Sequence, residues 1–224
     1  MRITDLLDKR SISLDAVCAS KSDALDQAVA LMVKSGKIND EEAYRKQVYL
    51  REEESTTGIG EGIAIPHGKC DAVTKPGLAA MVIKDGVDFD SLDDEPVNLL
   101  FLIAAPNTED NIHLDVLSKL SMLLMDENFV EKLKNASSVD EFLEIVDAAD
   151  EEKPDLNDQL AAQTETEGSV CRIIAVTSCP TGIAHTYMAA EGLEKAAKSH
   201  NCSIKVETRG SGGAKNVLTD EEIA

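Results

Sequence analysis

Two residues of this chain pair a nucleophilic atom with a setting that could activate it: Cys179 and His67. Cys179 follows the apolar run CRIIAVTS and precedes a helical pattern from about Ala184 to Ser199, so it falls where a buried strand gives way to a helix. The start of a helix leaves backbone N–H groups unpaired, and those amides together with the helix dipole favour an anion. Pro180 has no N–H to give, but Gly182 lets the loop curl so that later amides converge on a phosphate-like dianion. The same dipoles stabilise a thiolate, lowering a thiol pKa from about 8.5 to roughly 3.5–7.5. An accessible thiolate beneath an anion cradle is a phosphoryl acceptor. A small buried core thiol is the competing meaning of the same residue.

The loop Cys179, Pro180, Thr181, Gly182, Ile183, Ala184, His185, Thr186 has a spacing that resembles a cysteine-phosphatase loop, C-x5-R-[ST]. His185 stands where that loop has its arginine, so the guanidinium that would clamp a substrate phosphoryl group is missing. This favours a carrier of phosphocysteine over a hydrolase. Cys18, Cys70, Cys171 and Cys202 have no such setting and read as small apolar or surface side chains.

His67 lies between Pro66, which stiffens the chain, and Gly68, which permits close approach of backbone or a partner. An imidazole accepts a phosphoryl group only through an unprotonated ring nitrogen, and a hydrogen bond to the other nitrogen should fix the tautomer. Residue chemistry alone leaves open a merely hydrogen-bonded histidine at a strand end. His67 and Cys70 could form half a metal site, but no second pair follows at ligand spacing, so no metal is expected. His113 opens HLDVLSKLSMLL, where its ring could donate to a phosphoryl oxygen or simply cap the helix. Arg51 could clamp a phosphoryl group. It is followed by Glu52, Glu53 and Glu54, and such a run is usually a solvated helix face.

The elements that must position these residues follow from the apolar pattern. SISLDAV alternates as a strand. Ser22 precedes a helix with Leu25, Ala28, Val29 and Met32 on one face, ended by Gly36. Asn39 and Glu42 have capping-box spacing for a second helix running to about Glu54. GIGEGIAIPHG reads as a glycine-rich turn, a short strand and a Pro-His bend. LAAMVIK and VNLLFLIAA are strands buried on both faces. Helical spacing returns from Ile112 to Met125, and Ser138 with Glu141 caps VDEFLEIVDAA. These elements make an α/β layered domain over residues 1–150, a mixed sheet flanked by helices. A polar linker covers 151–169. Over 170–224 a strand, the Cys179 loop, a helix, the strand SIKVET, the loop RGSGGAKN and a helix start at Thr219 form a partial parallel α/β unit, read as truncated. A linker of about 19 residues has an r.m.s. span of roughly 25 Å, which allows His67 to reach Cys179.

Composition narrows the partners. The formal net charge is −20, which argues against nucleic acid and anionic membrane surfaces. No apolar run is long enough to span a bilayer, and MRITDLLDKR is not a signal peptide. Five irregularly spaced cysteines suggest a reducing cytoplasm rather than a disulfide framework. Aromatic residues are 3% of the chain with no Trp, so the core is aliphatic.

The stretch from Arg51 to Gly68, with TGIGEGIAIPHG, resembles the active-site region of the enzyme IIA domains of the fructose–mannitol family, and HLDVLSKLS resembles that family's second histidine region. IIAVTSCPTGIAHTYMAAEGLEKAA with VETRGS resembles the fructose-class enzyme IIB domain. The order is that of fused IIA–IIB–IIC transporters of the phosphoenolpyruvate-dependent phosphotransferase system. The resemblance implies that His67 is phosphorylated by the phosphocarrier HPr, with His113 stabilising the group and Arg51 near it. Cys179 would then carry the phosphate to a sugar, fructose by class, held in the membrane IIC permease. Mannose-type sugars or mannosyl-glycerate are alternatives. His185 and Thr186 would shape the loop, and no cofactor is implied. The family's VETQGS is VETRGS here, so Arg209 adds a charge near the loop. Three competing readings are a regulatory IIA module without transport, a cysteine phosphatase, and a metal-binding protein using His67, Cys70 and His113.

Overall fold

The computed structural model describes residues 2–91, 93–107, 119–152, 171–178, 184–200, 202–210 and 213–223. They divide into two compact units, Met1–His113 with Glu127–Asp150, and Leu114–Asp126 with Glu151–Ala224.

The first unit is built on β5 (Gly77–Val87) and β6 (Val97–Ala105), an antiparallel pair at the centre of a six-stranded mixed sheet. β1 (Leu7–Ala16) runs parallel to β5. The other edge of β6 is shared end to end by β3 (Ile63–Ala64) and β4 (His67–Lys69), both parallel to it, and β2 (Gly58–Gly60) pairs antiparallel with β3. α1 (Lys21–Lys34) and α2 (Glu41–Glu54) share one core with Met81, Ile83, Leu100, Leu102 and Ala104. On the alternate positions, Phe101 meets Phe142 of α5 (Val139–Glu152), ring centroids 6.2 Å apart. Along the chain, helical residues 119–124 (α3), which fall in the second unit, and α4 (Glu127–Lys134) of the first precede α5. Double-sided burial explains the unbroken apolar runs of β5 and β6. Such runs commonly mark parallel sheets, yet here helices cover both faces of an antiparallel pair.

The helix starts differ from the sequence expectation by one or two residues. The oxygen of Ser20, not Ser22, accepts from the Asp23 amide at 3.2 Å. Asp40, not Asn39, accepts from Ala43 N at 3.0 Å. The Asn39 N–H donates to the Ala72 carbonyl at 2.9 Å, which ties Asn39 to distant chain ahead of the helix, and Asp40 holds the extended cap backbone. Ser138 caps α5 as expected, accepting from Glu141 N. α5 extends to Glu152, into the segment read as linker.

The second unit has β7 (Cys171–Ser178) parallel to β8 (Cys202–Gly210), with α6 (Ala184–Ser199) joining them. RGSGGAKN is not a plain loop: β8 continues to Gly210 and turns into β9 (Gly213–Lys215), antiparallel to it. Asn216 ends the hairpin at φ 53°, donating to the Val206 carbonyl at 2.9 Å. Cys202 is disulfide-bonded, against the expectation of reduced thiols. Thr219 and Glu222 cap the short α7 (Asp220–Ile223), and Lys205 Nζ holds Glu222 Oε2 at 2.6 Å.

Gly68 of β4 sits under α2. A Cβ there would lie 3.0 Å from Tyr44 Cε2 and 3.1 Å from Val48 Cγ2. Gly68→Ala should lower stability in urea unfolding by about 1–3 kcal/mol through overpacking. In the second unit, the Lys205 ammonium draws the Glu222 carboxyl down to about 2 from 4.5. A depressed folded pKa stabilises above the unfolded value and is lost as pH falls toward the folded one. Amide exchange in residues 217–223, corrected for intrinsic rates, should therefore rise between pH 4.5 and 2.

Candidate active site

Tyr44, Val48 and Arg51 follow one another at i, i+4 and i+7 on α2, a spacing that puts them on one helix face. Tyr44 and Val48 are fully buried, and the Tyr44 hydroxyl donates to the Ile103 carbonyl of β6 at 3.0 Å. Ile103 is also the register partner of His67. The hydroxyl thus fixes α2 against the strand that carries His67, and the next helical turn delivers Arg51 to the imidazole.

Arg51 Nε lies 2.9 Å from His67 Nε2, and His67 Nδ1 lies 3.1 Å from the Ile65 carbonyl oxygen. A guanidinium can only donate and a carbonyl can only accept. Both contacts therefore require the same tautomer: the proton is on Nδ1, and Nε2 presents its lone pair. Arg51 Nη1 donates to Ser55 O at 3.0 Å. Its Nη2 has no hydrogen-bond partner among the described residues. Sequence reading left Arg51 open as a solvated charge; the structure turns it onto the imidazole.

The strand before His67 is held from several sides. The Ile65 amide donates to Thr57 O and the Ile103 amide to Pro66 O, each at 3.0 Å. Gly60, Glu61 and Gly62 all have positive φ, which the two glycines accept readily. The Glu61 amide donates to Asp93 Oδ2 at 2.7 Å, tying this turn to the loop after β5. The amides of Glu61 and Glu95 hold the Asp93 carboxyl below the usual carboxylate range.

Of the other expected site residues, His113, Cys179, Pro180, Thr181, Gly182 and Ile183 lie outside the described residues. Ala184 and His185 open α6, and Thr186 is buried in its first turn. At the same end of the second unit, Thr177 and Thr208 face each other in register with buried hydroxyls that have no hydrogen-bond partner among the described residues. Arg209 engages Glu207, whose other oxygen accepts from Leu218 N, so its charge is already shared within β8. Cys18 and Cys70 are free and partly buried against the core, and burial pushes the Cys18 thiol up to about 11. Among the described residues, no three His, Cys, Asp or Glu side chains gather to hold a metal.

Glu52 escaped the sequence reading. The residue is 8% exposed, and its carboxylate accepts from the Thr57 amide at 2.9 Å and the Thr57 hydroxyl at 2.5 Å. Within REEE nothing distinguishes it from Glu53 and Glu54. Its position four residues after the buried Val48 was the available signal.

Residues 5–149 match the family described as phosphoenolpyruvate-dependent sugar phosphotransferase system, EIIA 2, and residues 174–224 match the PTS lactose/cellobiose-specific IIB subunit family. The chain belongs to the EIIA 2 family and carries a IIB-type segment behind that domain. It is 45% identical over 223 residues to a PTS fructose-specific EIIABC component of Bacillus subtilis, covering 100% of this chain and 35% of that relative. The IIA mannitol structure from Escherichia coli matches with a TM-score of 0.55 and 35% identity, over 62% of this chain and 98% of the other. The nitrogen regulatory protein IIA-Ntr from Neisseria meningitidis gives a TM-score of 0.61 and 30% identity, over 64% and 98%. Among the described residues no helix is long and apolar enough to cross a membrane.

The tautomer is directly testable. In ¹⁵N–¹H spectra of the unphosphorylated protein, His67 should show a protonated Nδ1 and an unprotonated Nε2. Arg51→Ala should mix the two tautomers.

Proposed function

We propose that this chain is a phosphoryl carrier. His67 Nε2 accepts phosphate from the phosphocarrier HPr, and Cys179 takes it onward to a sugar, fructose by class, bound in a IIC permease. In this reading residues 1–150 form the IIA domain, 151–169 the linker and 170–224 the leading part of IIB. The chain works in the cytoplasm at the inner face of the membrane.

The observation that carries the proposal is the imidazole held between Ile65 O and Arg51 Nε. The Nε2 lone pair attacks phosphorus. The new N–P bond forms as the donor's bond to the same phosphorus breaks, and the donor nitrogen keeps the electron pair. Positive charge then enters the His67 ring, and its Nδ1–H remains on the Ile65 carbonyl, which stabilises that charge. Arg51 must leave the nitrogen as phosphorus arrives. Its guanidinium then faces the phosphoryl oxygens, where the charge of a loose transition state accumulates. His113 is assigned the second contact to that group. In the next step the Cys179 thiolate attacks phosphorus, an S–P bond forms, and His67 recovers its lone pair. Ala184, His185 and Thr186 open the helix at that loop, whose amides would receive the phosphoryl oxygens.

A regulatory role without sugar transport is favoured by one observation, the likeness to IIA-Ntr. The IIB-type segment over 174–224 favours the carrier.

Incubation with phosphoenolpyruvate, enzyme I and HPr should give one acid-labile, base-stable label on His67, absent in His67→Ala. Cys179→Ser should keep that label and stop transfer to sugar. Arg51→Ala should slow labelling about 10²–10³-fold, the usual cost of one charge-stabilising donor. A chain that stays unlabelled in the complete cascade overturns the reading.

A further inference from the structure

Arg51 and His67 lie on different elements, yet both trace back to one carboxylate. Glu52 follows Arg51 directly in α2. Through its Oε1 and Oε2 it holds the amide and hydroxyl of Thr57. The Thr57 carbonyl accepts from the Ile65 amide at 3.0 Å, and the Ile65 carbonyl holds His67 Nδ1 at 3.1 Å. One arm from Glu52 therefore runs through a single peptide unit to the guanidinium. The other runs through Thr57 and Ile65 to the imidazole.

The carboxylate has its own counter-charge. Lys21, the first residue of α1, places Nζ 2.8 Å from Glu52 Oε1. The same ammonium lies 3.3 Å from Asp90 Oδ2, 3.4 Å from Thr56 Oγ1 and 4.9 Å from the centroid of the Phe89 ring. A buried carboxylate needs such a partner, because burial strips the hydration of the charge. Thr57 is itself only 4% exposed, so solvent does not compete for its hydroxyl.

We propose that Glu52 is the positioning residue of the site. It sets the register in which Arg51 Nε meets His67 Nε2, and Lys21 is the cation that keeps the carboxylate in place. The catalytic half of this statement rests on His67 being the phosphoryl acceptor; the positional half does not.

The experiment uses the full chain and the variants Glu52→Gln, Lys21→Met and Lys21→Arg, each alone, with Glu52→Gln also combined with Arg51→Ala. The first readout is the His67 imidazole in ¹⁵N–¹H spectra without any phosphoryl donor, assigned by comparison with His67→Ala. Glu52→Gln and Lys21→Met should turn a single Nδ1–H tautomer into a mixture, and Lys21→Arg should retain the single form. The second readout is labelling by phosphorylated HPr. Glu52→Gln should lower kcat about 10- to 100-fold with KM changed less than about threefold, the pattern of a lost transition-state interaction. In the Arg51→Ala background the cost of Glu52→Gln should shrink to about twofold or less, because residues acting through one contact are not additive.

A Glu52→Gln chain that melts at a lower temperature but keeps the wild-type tautomer and kcat overturns the proposal, since the carboxylate is then only a stabilising contact. Full additivity with Arg51→Ala overturns it as well. Should Glu52→Gln fail to fold, the two Lys21 variants decide: equal tautomer mixtures in both, or in neither, sink the idea. If the unsubstituted chain takes no label, the carrier reading fails, and the tautomer measurements still decide the positional claim.

Discussion

A guanidinium that donates to a ring nitrogen leaves that nitrogen no choice of protonation state. Arg51 Nε stands 2.9 Å from His67 Nε2, and a protonated Nε2 would face it donor to donor. The Ile65 carbonyl makes the complementary demand on Nδ1. Together the two contacts define which nitrogen carries the lone pair. In the proposed transfer they would also place a cation where phosphoryl charge develops. Each contact is worth little in net stability, on the order of 1 kcal/mol. Their value lies in orientation, and the rest of the first unit can be understood as the means of keeping them aligned.

That alignment comes from splitting one sheet edge between two short strands. β3 and β4 succeed each other along β6, and Pro66 sits in the break with its carbonyl taken by the Ile103 amide. Proline has no N–H for a ladder, so the break falls where no hydrogen bond is lost. Ile65 thereby leaves regular pairing, and its carbonyl is available to the imidazole two residues on. Gly68 then lets α2 come close enough for the Tyr44 hydroxyl to reach Ile103 O. A bulkier residue at 68 would lift the helix, and with it Arg51.

The sequence was most informative where a residue type has a single physical use. TGIGEGIAIPHG yields the turn, the short strand and the bend, because glycine and proline restrict the backbone directly. β1 was legible from apolar alternation, β5 and β6 from unbroken apolar runs and α5 from its cap, but none of these carries strand direction. The antiparallel pairing of β5 with β6 therefore stayed hidden behind runs that fit either geometry. The caps of α1 and α2 slipped because Ser20 and Ser22, or Asn39 and Asp40, are chemically interchangeable as caps. Contacts with distant chain, such as Asn39 N to Ala72 O, make the choice. β9 was missed because a glycine-rich stretch looks like a loop until its partner strand is known. Glu52 was obscured for a similar reason, while Arg51 stood as a candidate clamp: within REEE only the three-dimensional neighbours separate the buried carboxylate from solvated ones.

The Lys21–Glu52 pair bears on what kind of stability this fold needs. Breaking a buried ion pair is costly, yet replacing the whole pair by apolar side chains of similar volume is often neutral or stabilising. Here an apolar pair would leave the buried Thr57 amide and hydroxyl without their acceptor, so the carboxylate stabilises this turn as well as ordering it. An apolar contact, however, is non-directional and tolerates sliding by an ångström, whereas a carboxylate with three donors at 2.5–2.9 Å does not. The site requires just that intolerance, because Arg51 and His67 come from elements joined by fifteen intervening residues and must meet atom to atom. A polar anchor in a largely apolar interior thus fixes the register of the site in addition to what it contributes to stability.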